Sequence, residues 1–278
     1  MDKIVFKWNL FFRILTLFAI AQAAGIYAAY RLLPELEFVQ PGRVSDFNFY
    51  DLLFLAGFIV IFVLLIKRFR KAGSVFFRVF LALIIFAGAQ AFLSIWFGPN
   101  ISVLITIALI FLFWFFNNVF IQDLIMLLTF AGIGAVLGLS LTPTAVVLIL
   151  VGFSFYDIIA VYKTKHMIKL AEAMIESRAI FGFVIPGSAR GLKERMSKVA
   201  PGDQFMILGS GDVILPMLLS ASLVRVSMLQ SVIVAAFSLL GLLLMHLIFT
   251  NQKIRRPMAA LPPIAMLTVI GYLVAIFF

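Results

Sequence analysis

Apolar runs of about 20 residues follow one another along the whole chain, and each is the length an α-helix needs to cross ~30 Å of hydrocarbon at 1.5 Å per residue. Nine such runs stand near 9–30, 50–66, 75–97, 101–116, 119–141, 144–162, 205–224, 228–249 and 258–277. Hydrocarbon offers backbone polar groups no partners, so runs of this length must satisfy them internally as helices. The expected fold is therefore all-α, a polytopic membrane protein of nine transmembrane helices. With 64% hydrophobic and only 12% charged residues, the 278-residue chain leaves no room for a separate soluble domain. One membrane-embedded domain is expected over 1–278: five spans in 1–142, two spans joined by a loop over 163–204 in 143–224, and two more in 225–278.

Local chemistry supports the divisions. Asn117-Asn118 alone separates the fourth run from the fifth. Thr142-Pro143 is a firmer break, because proline suits the first turn of a helix and the preceding threonine can cap it. Alternating the loops between two sides places Lys3, Lys7, Arg13, Lys67, Arg68, Arg70, Lys71 and Arg78 with the basic residues of 163–198 and of 253–256. Only Arg31, Arg43 and Arg225 stay opposite, so 19 of the 22 basic residues share one side. The positive-inside rule makes that side cytoplasmic, with the N-terminus inside and the C-terminus outside. Lys3, Lys7 and the apolar stretch ending at Ala21-Gln22-Ala23-Ala24 also fit a signal peptide, an alternative that leaves the other spans oriented as they are.

The formal charge of +10 does not indicate nucleic acid, since the basic residues are spread between apolar runs rather than gathered in one stripe. The lack of cysteine removes disulfides, thiolate metal sites and a cysteine nucleophile. His166 and His246 lie on different segments without metal-ligand spacing, so neither a metal nor a cofactor is expected. HExxH and GxSG are both absent.

Within the loop, Lys165 to Ile180 has the pattern of an amphipathic helix, with Met167, Leu170, Met174 and Ile175 against Lys169, Glu172, Glu176 and Arg178. Such a helix is expected on the cytoplasmic membrane surface. The apolar run 179–185, ended by Pro186-Gly187, fits either a strand whose edge receives a peptide or a loop dipping into the membrane.

Most of the twelve acidic residues fall in loops or at span ends, whereas Asp157 and Asp212 stand well inside apolar spans. A carboxylate there is costly and marks a function, the alternative being a group hydrogen-bonded for helix packing. Asp157 precedes Lys163 by six residues, which sets it ~9 Å inside the cytoplasmic end. Asp212 follows Asp203 by nine, or ~13 Å on a helix running back. Antiparallel neighbours 8–10 Å apart would let the two carboxylates meet and share a proton, one serving as base and the other as acid. Gly209 and Gly211 clear side-chain bulk beside Asp212, and Pro216 frees the Asp212 carbonyl from its helical partner. Tyr156 serves either packing or the site. Ala260-Leu261-Pro262-Pro263 interrupts the last span near the same end, either as a kink or as backbone open to an extended peptide. The rival function is a proton-coupled transporter or channel with the two aspartates as a relay, which calls for carboxylates near the bilayer centre and an internal repeat.

Tyr156-Asp157, Gly209-Ser210-Gly211-Asp212 and Ala260-Leu261-Pro262 resemble, in order, the YD, GxGD and PAL motifs of the presenilin and signal peptide peptidase family of intramembrane aspartic proteases, in its archaeal form. The resemblance covers about 144 to 270. It departs at Ala259, which stands where PALP has its first proline. Type IV prepilin peptidases share GxGD but are expected to follow it with a basic residue, where this chain has Val213-Ile214. The resemblance implies cleavage of transmembrane proteins or peptides in the lipid bilayer by Asp157 and Asp212. Tyr156, Gly209, Gly211, Ala260, Leu261 and Pro262 would support the site, and no metal would take part. The inside N-terminus is similar to presenilin, which implies type I substrates and a multi-pass protein of the cell membrane.

Overall fold

Asn117 and Asn118 divide the longest apolar stretch as expected. In the computed structural model Asn117 takes a left-handed conformation (φ 42) that ends one helix, and the Asn118 side chain accepts the Ile121 N–H at 2.9 Å to start the next. The structure describes residues 8–39, 73–164, 166–199, 205–252 and 258–278. The expected span near 50–66 lies outside them.

The helices are α1 (Trp8–Val39), α2 (Gly73–Leu93), α3 (Pro99–Phe116), α4 (Val119–Ser140), α5 (Pro143–Ile158), α6 (His166–Glu176), α7 (Ser210–Ser222), α8 (Met228–Thr250) and α9 (Leu261–Ala275). Thr142 caps α5 through the Ala145 N–H at 3.3 Å, with Pro143 in the first turn. A π-helical turn, Ile159–Lys163, carries α5 onward. Among the described residues, six helical stretches are long and apolar enough to cross a membrane: Leu10–Pro34, Val75–Leu93, Pro99–Phe116, Val119–Ser140, Pro143–Lys163 and Met228–Thr250. This is a multi-pass helical membrane protein.

The structure adds a two-stranded antiparallel sheet to the all-helical expectation. β1 (Gly182–Pro186) pairs with β2 (Phe205–Gly209) in the register Gly182 to Gly209, Val184 to Ile207 and Pro186 to Phe205. The strand alternative for 179–185 is therefore the one adopted. β2 corrects the expectation of a helical span beginning at 205. Five residues of that run are extended because they can complete a ladder with β1, a pairing invisible in local hydropathy. The last span is likewise shorter than expected, since 258–260 are not helical and α9 starts at Leu261.

α4 is the central helix, packed against α1, α2, α7 and β1. Its glycines permit close approach, and a Cβ on Gly132 would run into the Gly88 carbonyl of α2. Part of the apolar face of α6 is covered by protein: Leu170, Ala173 and Met174 pack on the buried cluster that includes Phe77 and Phe183. The loop is tied to one end of the bundle. Arg13 donates to the Pro186 carbonyl (2.8 Å), Arg78 to the Ser177 carbonyl (3.0 Å), and the Met196 N–H to the Asn117 carbonyl (2.9 Å).

Candidate active site

Three elements change backbone conformation at this end of the bundle, and each change falls on or beside a motif residue. Asp157 is the penultimate residue of α5, two residues before the π-helical turn begins at Ile159. There the Thr164 N–H reaches back to the Ile159 carbonyl at 2.9 Å, widening the helix below the carboxylate. Asp212 is the third residue of α7. Its Oδ2 accepts the Gly209 N–H at 3.2 Å, so the carboxylate holds the strand-to-helix junction. Leu261 opens α9, and its N–H donates to Asp157 Oδ2 at 3.3 Å.

Asp212 does not take the height expected from helical rise after Asp203: 205–209 is a strand, so the height of Asp212 follows from the pairing of β2 with β1. The two aspartates nonetheless stand on helices that pack against each other and against α9. Both are half-buried. Behind them one apolar cluster locks the three helices, with Val146 and Leu150 of α5, Leu215 and Leu219 of α7, and Leu261 and Ala265 of α9.

The glycines of the motif have separate tasks. A Cβ on Gly209 would stand 3.2 Å from Asp212 Oδ2, so this position must be small for the carboxylate to turn back on it. Gly211 is exposed, and a Cβ there would meet only Leu215 Cδ1 at 4.0 Å, leaving open space beside the acid. Tyr156 packs its ring edge-on against Phe153, with centroids 6.3 Å apart. Pro262 and Pro263 stand in the first turn of α9 rather than breaking it, where a missing N–H costs nothing. Ala259 is buried.

One buried acid escapes the sequence reading. Asp123, the fifth residue of α4, is 6% exposed and accepts the Val184 N–H of β1 at 2.7 Å. Its place near a span end disguised it. The adjacent polar pair Gln122-Asp123 inside an apolar run was the available signal.

A multi-pass helical bundle carrying two neighbouring carboxylates at helix boundaries, beside a short sheet, defines the class of membrane-embedded aspartyl hydrolases. A family profile described as "Signal-peptide peptidase, presenilin aspartyl protease" matches residues 10–278. The chain belongs to this signal-peptide peptidase and presenilin aspartyl protease family, and it is an aspartic protease embedded in the membrane. Two solved structures are similar in fold, both described as a presenilin family intramembrane aspartate protease. The one in space group C222 has a TM-score of 0.66 at 21% identity, covering 96% of this chain and 98% of that chain. The one in P2 has a TM-score of 0.62 at 23% identity, covering 95% and 96%. No curated protein sequence matches significantly.

Proposed function

We propose that this chain hydrolyses peptide bonds within transmembrane helices, with Asp157 and Asp212 as the catalytic pair. The observation that carries the reading is their convergence from α5 and α7 onto the start of α9 and the end of β2. Carboxylates that act on each other's charge in one site resist ionising together, and the pair holds one proton between them. The ionised member takes a proton from water, and the resulting hydroxide attacks the scissile carbonyl while the protonated member donates to its oxygen. Collapse of the tetrahedral intermediate then passes a proton to the leaving amine and returns the pair to its starting state.

A transmembrane helix must unwind to present a peptide bond, and its freed backbone groups need partners in hydrocarbon. The outward edge of β2, which no described residue pairs at Ile207, offers strand pairing. Gly211 leaves room for the approaching backbone, and Gly209 lets the Asp212 carboxylate fold back. Ala260, Leu261 and Pro262 hold the opposite wall, with the Leu261 N–H fixing Asp157. Tyr156 supports the site by packing on Phe153.

Nine spans in a single domain, with an inside N-terminus and an outside C-terminus, fit the distribution of basic residues. Arg13, Arg78 and the 177–196 segment gather at one end of the bundle, which supports this count. The orientation favours type I substrates and a place in the cell membrane. The test is cleavage of a type I transmembrane peptide by the purified protein in detergent. Asp157→Ala and Asp212→Ala are each expected to lower the rate by at least about a thousandfold. Unchanged cleavage in either variant would sink the aspartic mechanism.

A further inference from the structure

β1 has two edges, and only one of them meets β2. The Ser210 N–H donates to the Phe181 carbonyl at 3.0 Å, continuing the ladder past Phe183 and Leu208. The alternate residues Gly182, Val184 and Pro186 therefore turn backbone groups the other way, toward α4 and α1. Side chains meet four groups on this outer edge. Gln122 Nε2 donates to the Ile180 carbonyl (2.8 Å) and the Gly182 carbonyl (3.3 Å). The Val184 N–H donates to Asp123 Oδ1 at 2.7 Å, and Arg13 Nη1 donates to the Pro186 carbonyl at 2.8 Å. Gln122 and Val184 are fully buried, so water cannot replace the bonds they make.

The opposite side of the sheet differs. By the same alternation Ile207 and Gly209 of β2 face outward, and the Gly209 N–H is taken by Asp212. Among the described residues nothing pairs with the outward backbone of Ile207.

We propose that Asp123, together with Gln122, is a positioning residue for the substrate: it ties the outer edge of β1 to α4 with side-chain hydrogen bonds, and so holds β2 at the height where an entering peptide strand paired with it runs directly past Asp212. The inference rests on the protease reading above. The aspartate supplies the acceptor that a third strand would otherwise bring to Val184, and the glutamine supplies two donors. Without these bonds the strand that sets the height of β2 loosens, and with it the position of the bond presented to Asp212.

The experiment uses the full-length protein in detergent with a type I transmembrane peptide, measuring KM and kcat, cleavage positions by mass spectrometry, and hydrogen exchange over 182–186. In Asp123→Ala, KM is expected to rise about tenfold, the products to spread over adjacent bonds, and exchange at Val184 to speed up about tenfold or more. Asp123→Asn keeps an oxygen to accept the Val184 N–H, and is expected to restore one cleavage position and a KM within about twofold of wild type. If Asp123→Ala does not fold, Gln122→Leu carries the same test, because it removes both donors while keeping an apolar side chain of similar size. Unchanged KM, cleavage positions and exchange in the tested variant, alongside an inactive Asp157→Ala, overturn the inference and leave the protease reading intact. Equal losses in Asp123→Ala and Asp123→Asn overturn it too. Cleavage that survives Asp157→Ala overturns the reading on which both rest.

Discussion

The pair α2 and α4 and the trio α5, α7 and α9 are all built from apolar sequence, α7 least so, and behave in opposite ways. α2 and α4 run uninterrupted for 21 and 22 residues and pack backbone to backbone at Gly88 and Gly132. α7 and α9 have 13 and 15 residues, and α5 gives way to a π-helical turn after 16. Each interruption exposes backbone groups that hydrocarbon cannot satisfy. The difference teaches where function resides in such a bundle. Unbroken helices are self-sufficient and serve as a wall, whereas broken ones must borrow partners. Here the partners are the two carboxylates, Asp157 on Leu261 and Asp212 on Gly209. The groups proposed to do chemistry also hold together the part of the fold that is open enough for it.

The sharpest way to break this contrast is a pH series. A proton-sharing pair gives a bell in kcat/KM, falling about tenfold per pH unit well outside each limb, and Asp212→Asn removes both limbs along with the activity. A flat profile from mildly acidic to alkaline pH would remove the shared proton. Gly209→Ala comes next. Its methyl would lie 3.2 Å from Asp212 Oδ2, so the carboxylate must shift by a few tenths of an ångström. The expected result is a fall in kcat of about tenfold with the melting temperature nearly unchanged.

Gly132→Ala probes the wall instead. A Cβ there overlaps the Gly88 carbonyl, and the expected cost is about 1–3 kcal/mol of stability, read as a lower melting temperature while the kcat of the folded fraction holds. Should activity fall before stability, the wall and the site are not separable. The smallest effect belongs to Gly211→Ala. Its methyl meets only Leu215 at 4.0 Å, and alanine improves helix propensity by up to ~1 kcal/mol. The melting temperature is expected to hold or rise while KM increases, which assigns the open space at Gly211 to substrate.

Much of this arrangement was legible in the residues. The asparagine pair at 117–118 and Thr142-Pro143 act through their own backbone preferences, so the boundaries they mark appear where local chemistry places them. Asp157 and Asp212 were visible because an acid in an apolar run is conspicuous. Asp123 was no less an intramembrane acid, but its partner is the backbone of Val184, 61 residues away, and no local pattern announces that bond. The amphipathic helix was recognised from its period, but its packing against the cluster around Phe77 and Phe183 was not, because a stripe records that burial is needed and not against what.

The sequence by itself determined a membrane bundle, its main breakpoints and the acids placed near one end, since each follows from the cost of polar groups in hydrocarbon or from the preferences of a few adjacent residues. The tertiary structure decided what lies between the two aspartates. That 205–209 is strand and not helix, that α9 begins at Leu261, and that Gln122 and Asp123 close one edge of β1 all depend on hydrogen bonds between segments far apart in the chain. Such bonds form only once the unbroken helices have brought those segments together, because a lone strand of apolar residues gains nothing from extending until another backbone is present to pair with it.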